Sequence, residues 1–199
     1  GMNLKSSVFA GCDRDWCLDE ETLPCLNPRI VFRDITNRTN SRTLIAALIP
    51  PNVFITNKGP YLIFERGSIK EQIYFLGVLS SLPLDWYARR FVELNLNFFL
   101  FNPLPVPRPL AGSGLLNRVV ELSGRLAFPD DRFSGWAKDI GVNYGAIPDD
   151  QKQDMIHELD AVVAHLYELN RDQLIHIFET FHEGWDYHQR LESTLAHFD

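Results

Sequence analysis

Residues 27–49 read Asn-Pro-Arg-Ile-Val-Phe-Arg-Asp-Ile-Thr-Asn-Arg-Thr-Asn-Ser-Arg-Thr-Leu-Ile-Ala-Ala-Leu-Ile. Two apolar runs, Ile30–Phe32 and Leu44–Ile49, flank a polar turn that carries Arg33, Arg38 and Arg42 among Thr, Asn and Ser. Short runs rich in Ile, Val and Phe and bounded by Asn, Ser and Pro read as strands, here Ile30–Ile35 and Thr43–Ile49 as a hairpin or adjacent pair. Arg matches phosphate and guanine, and Asn matches adenine, so a cationic, amide-rich loop between two strands has the chemistry to touch DNA. The same residues also suit a solvated turn whose arginines keep it soluble. Arg33 and Asp34, close to the strand, also suit a structural ion pair.

Outward from this stretch, Pro50-Pro51 ends the second strand because proline donates nothing to a ladder. Val53–Thr56 reads as a short strand, Asn57-Lys58-Gly59-Pro60 as a turn and Tyr61–Glu65 as a further strand. Ser68 with Glu71 forms a capping-box signature, which starts a helix running to about Ser80. A second helix begins at Pro83 and carries Trp86, Tyr87, Arg89, Arg90 and Phe91. Its two arginines serve either a partner or the solvated edge of a buried aromatic face. Asn97–Phe101 is apolar enough for a core strand. The four prolines of 103–109 then force a stiff extended exit.

Beyond Gly112 the apolar period becomes helical: Leu115, Val119, Leu122, Leu126, and later Met155, Leu159, Val162, Leu166, Leu169. Residues 128–147 read as a loop with one short helix. Asp149-Asp150 opens the long helix, and Asn170 with Gln173 caps the next. The polar and aromatic remainder from His182 reads as a partly ordered tail. The expected fold class is α+β. A small mixed or antiparallel sheet with packed helices occupies residues 2–112, and an all-α region, 113–199, packs on it.

Composition narrows the function. The net charge is −7, yet residues 1–115 hold 12 Lys and Arg against 10 Asp and Glu, while 116–199 hold 7 against 16. DNA contacts are therefore expected from the first part only. Cys12, Cys17 and Cys25 lie early, whereas all six His follow residue 150, so no zinc set forms and free thiols in a reducing cytosol are expected. There is neither a run of about 18 apolar residues nor a basic-then-apolar leader, so a cytoplasmic protein without a membrane span is expected. Neither Gly-rich phosphate loop is present, nor H-E-x-x-H, nor a G-x-S-x-G elbow. Asp130-Asp131 and Asp149-Asp150 sit beside prolines as turn and helix-start residues. No self-contained catalytic constellation emerges.

Four stretches in order carry a resemblance: residues 27–35, Arg-Thr-Leu-Ile-Ala-Ala-Leu-Ile-Pro-Pro (42–51), Phe-Leu-Gly-Val-Leu-Ser-Ser-Leu-Pro-Leu-Asp-Trp-Tyr-Ala-Arg (75–89) and Leu-Asn-Phe-Phe-Leu-Phe-Asn-Pro-Leu-Pro-Val-Pro (96–107). With the helical segment 158–174 they resemble the C-terminal target-recognition region of adenine-N6 DNA methyltransferase subunits in Type II restriction–modification enzymes. The resemblance implies a target-recognition-like fold and a sequence-specificity module. Its partners would be double-stranded DNA and a methylase catalytic domain or subunit. In that family an Asn/Asp-Pro-Pro-Tyr/Phe loop performs methyl transfer and a preceding domain binds S-adenosylmethionine. Asn102-Pro103-Leu104 departs from that loop, so no cofactor is expected in this chain. The expected DNA contacts are Arg33, Arg38, Asn40, Arg42, Lys58, Arg89 and Arg90, with Arg38, Asn40 and Arg42 foremost. The alternative is a non-catalytic remnant that docks on a methylase subunit without binding DNA, which the acidic helical end favours.

Overall fold

A computed structural model of the chain describes residues 23–64 and 67–199. The readings for 2–22, including Cys12 and Cys17, and for Glu65 lie outside those residues.

The architecture is α+β. Strands β1 (Arg29–Phe32) and β2 (Ala46–Ile49) pair antiparallel, with Arg29 opposite Ile49 and Phe32 opposite Ala46. Both strands are shorter than the expected Ile30–Ile35 and Thr43–Ile49, because the intervening segment leaves the ladder to fold on itself. Eight helices follow among the described residues: α1 Ile69–Ser80, α2 Leu82–Ala88, α3 Phe98–Phe101, α4 Gly114–Ala127, α5 Ser134–Ile140, α6 Asp149–Leu166, α7 Arg171–Glu179 and α8 His188–Phe198.

Local chemistry sets several boundaries. Ser68 Oγ accepts the Glu71 N–H while Glu71 returns a bond to Ser68 N, and Asn170 and Gln173 do the same for α7. Ser81 and Pro83 separate α1 from α2, because Pro83 fits the first turn of a new helix.

Four expectations need correction. Val53–Thr56 is irregular. Tyr61 makes only an isolated bridge to Val31, although the Phe32 N–H to Pro60 O and Leu62 N–H to Ile30 O bonds lay this segment along β1. Asn97–Phe101 is a helical turn, not a strand. Asn97 Oδ1 caps it by accepting the Leu100 N–H, and Phe98 and Phe101, one turn apart, both pack on Phe32. Phe99 is left 84% exposed, which a core strand would not allow. Finally, the segment after His182 ends in α8. Fully buried Asp160 of α6 pairs with Arg190 of α8 and accepts the Leu82 N–H at the start of α2 (2.7 Å), so three helices meet on one carboxylate.

One hydrophobic cluster joins both parts of the chain. Ile30, Phe32 and Leu48 pack with Ile73 and Leu76 of α1, Val119 and Leu122 of α4, and Leu159 and Val163 of α6. A second cluster sets Leu82 of α2 against Ala164, Leu174, Ile177, Phe178 and Phe181. The proline-rich segment is strapped across: Pro107 O accepts from Tyr74 Oη (2.8 Å) and Pro105 O from Tyr167 Oη (2.6 Å).

Candidate nucleic-acid interface

The cationic loop between β1 and β2 is a hydrogen-bonded body with a small exposed tip. Its base rests on α2. Asp85 is fully buried; its carboxylate accepts the backbone N–H groups of Thr43 (3.1 Å) and Leu44 (3.0 Å) and pairs with Arg42 Nε at 2.5 Å. Arg42 also donates to Ser80 O (2.9 Å) and Ser81 O (3.2 Å). One turn further along, buried Arg89 donates to Asn40 O (2.9 Å), Thr43 Oγ1 (3.1 Å) and Phe181 O, with its guanidinium 3.7 Å from the Phe181 ring centroid. Asp85 and Arg89 stand four residues apart at the end of one short helix, so they meet one loop. Burial lowers the Arg89 pKa, and the neighbouring Asp85 charge opposes that shift.

Inside the loop, Thr36 Oγ1 donates to Thr43 O (2.7 Å) and Thr43 Oγ1 to Asn37 O (3.2 Å). The Asn37 side chain accepts the Thr39 N–H (2.9 Å), a local turn that brings residue 38 outward. Arg33 donates to Thr36 Oγ1 (3.0 Å) and Arg42 O (3.4 Å). The Asn40 amide, oriented to satisfy its neighbours, accepts from Arg33 Nη2 (2.8 Å) and the Asn37 N–H (3.1 Å). Tyr187, just before α8, donates to Ser41 O at 2.6 Å.

The seven expected contact residues therefore separate. Arg42 and Arg89 are held in internal bonds: Arg42 pairs with the buried Asp85 and donates to Ser80 O and Ser81 O, and Arg89 donates to Asn40 O, Thr43 Oγ1 and Phe181 O. Arg33 and Asn40 are half-buried in bonds within the loop. Lys58 is exposed and pairs with Asp34 (3.2 Å), whose pKa is lowered by the Asn95 amide and by Lys58. The suspected Arg33–Asp34 pair is thus an Asp34–Lys58 pair. Arg38 is exposed and, among the described residues, makes no hydrogen bond or ion pair. Arg90 is exposed with its guanidinium 4.4 Å from the Trp86 ring centroid.

Arg38 and Arg90 come together in an open cleft of about 490 Å³, lined also by Thr39, Arg89, Phe181, His182 and Glu183. Three arginines face one carboxylate there. The geometry suits a phosphate or a carboxylate, because exposed guanidinium N–H groups stand over a rigid floor. His182 and Glu183 were missed in the sequence because they lie in the segment read as a tail. Asp85 was missed too: an acid inside Leu-Pro-Leu-Asp-Trp is a usable sign of a buried carboxylate, but its partner, Arg42, lies 43 positions earlier. Among the described residues, no three His, Cys, Asp or Glu side chains gather as metal ligands, and no helix is long and apolar enough to cross a membrane. Comparison with protein-family models, curated proteins and solved structures returned no match.

Proposed function

We propose that this chain is a non-catalytic DNA-binding module, the sequence-specificity part of a restriction–modification adenine methyltransferase. S-adenosylmethionine and methyl transfer belong to a separate domain or subunit. The observation that carries the reading is the rigid loop of residues 37–43, clamped by Asp85 and Arg89, which holds Arg38 and Thr39 outward beside Arg90. A preorganised cation loses little freedom on binding phosphate or a base edge, and this is how contacts to the backbone set register for base reading. Lys58 is a further contact, since an exposed pair with Asp34 adds little stability and yields readily to a phosphate.

Fluorescence anisotropy with a mixed-sequence duplex at two salt concentrations tests the reading. Binding is expected at low salt and weaker at high salt, through counterion release. Replacing both Arg38 and Arg90 by Ala should lower affinity and reduce the steepness of the log–log salt plot by about 0.9 for each phosphate no longer neutralised. Absence of binding at low salt overturns the module. The competing reading, a remnant that docks on a methylase subunit, draws on the exposed carboxylates Asp149, Asp150 and Asp154 on α6.

A further inference from the structure

Strand β2 has one paired edge and one open edge. Arg33 N–H bonds Ile45 O (3.0 Å), and the pairs Val31–Ala47 and Arg29–Ile49 continue that ladder. Ile30 O and Phe32 N–H face the other way, toward Leu62 N–H (2.9 Å) and Pro60 O (2.9 Å). Backbone groups alternate in direction along a strand, so those of Ala46 and Leu48 point away from β1. Leu44, two residues earlier in the same alternation, has its N–H answered by Asp85. Among the described residues nothing answers the N–H and C=O groups of Ala46 and Leu48. Leu48 is only 9% exposed, and backbone groups so enclosed are almost always paired.

Beside this edge lies a cavity of about 380 Å³. Leu76 of α1, Leu126 of α4, Pro129 and Leu159 of α6 line it, and Lys152 is the single charged side chain in the lining. Lys152 is exposed and makes no ion pair among the described residues. Ser123, buried in the same wall, has a hydroxyl without a hydrogen-bond partner. Open backbone groups select an extended polypeptide, because another strand supplies acceptors and donors at their spacing. The apolar wall selects apolar side chains on the face turned toward it, and Lys152 selects a carboxylate. A second copy of this chain is a poor occupant: the same helices flank its own β2, and the cavity has room for a few residues rather than a packed domain.

We infer that the free edge of β2 accepts a strand from a partner polypeptide, a segment of alternating apolar residues that carries a carboxylate for Lys152. The inference goes beyond DNA binding and uses no residue of the Arg38 cleft. The probe is the synthetic peptide Thr-Val-Glu-Val-Thr-Val, blocked at both ends and added in large excess to isotope-labelled protein. Amide exchange at Ala46 and Leu48 should slow by about tenfold or more, while Ala47, already facing β1, changes little. N-methylation of one alternate set of peptide amides should abolish binding and N-methylation of the other set should spare it, since only every second amide faces β2. A peptide with Lys in place of Glu should bind about fivefold more weakly, and Lys152→Glu should reverse that preference, a result that misfolding does not imitate. Unchanged exchange at Ala46 and Leu48, equal effects of the two methylation patterns, a preference for Glu that survives Lys152→Glu, or protection that appears without peptide as the protein dimerises each overturn the inference. None of these outcomes bears on DNA binding.

Discussion

Arg38 and Arg42 lie one loop turn apart and stand in opposite environments, one exposed and one paired with a buried carboxylate. The difference comes from Asp85. A fully buried carboxylate requires compensation, and Arg42 with two backbone N–H groups supplies it. Asp85→Ala should destabilise the protein by about 3–5 kcal/mol, because Arg42, Thr43 and Leu44 are left with unanswered donors. Arg38→Ala should stay within about 0.5 kcal/mol of wild type and weaken only DNA binding. Urea unfolding of both variants, set beside their anisotropy curves, checks the contrast. Arginines in a polar loop look alike in a sequence. Which one is internal depends on a carboxylate 43 positions away, and that pairing is visible only once α2 is placed against the loop.

The helices that announce themselves chemically were legible. Ser68 with Glu71 and Asn170 with Gln173 write their own caps, and the Leu159–Val162–Leu166 spacing writes the buried face of α6. Of the missed helices, α3 carries a lone Asn97 cap and α8 carries none. The short helix α3 hides in an aromatic run that serves a strand equally well, and its direction is decided by Asn97 and by the face of Phe32. Helix α8 begins at Tyr187 without a side-chain cap, so its order comes from tertiary contact. Its anchor is Arg190 on the buried Asp160. Arg190→Ala should therefore cost about 3–5 kcal/mol, far more than loss of a surface pair, and should raise amide exchange through α8 and at the Leu82 N–H. Normal protection of α8 in that variant would contradict its dependence on Asp160.

Across the whole molecule, the two parts of the chain share a core, and the proline segment between them is tied to both, at Pro107 by Tyr74 and at Pro105 by Tyr167. Burial raises the Tyr74 hydroxyl to about 12 and raises that of Tyr167 further. A phenol that the fold keeps neutral contributes fully below the free phenol's pKa of about 10 and loses that contribution as pH climbs through the raised value. Stability should accordingly fall above about pH 10, and replacing both tyrosines by Phe should flatten that fall. At neutral pH each Phe variant should lose about 1 kcal/mol, one hydrogen bond to a proline carbonyl. Thermal melts across pH settle both points. The sequence marked the prolines as a boundary and the charge split as two territories. It did not show that aromatic hydroxyls from either side close over that boundary.

The clamp that α2 places on the loop has an evolutionary consequence. Residues 38 and 39 project from a frame whose bonds they do not supply through their side chains, so they are free to vary without unfolding what holds them. Residues 42 and 43 belong to the frame and are not. A chain built this way can change the chemistry of its loop tip by drift, generation after generation, with its scaffold kept constant.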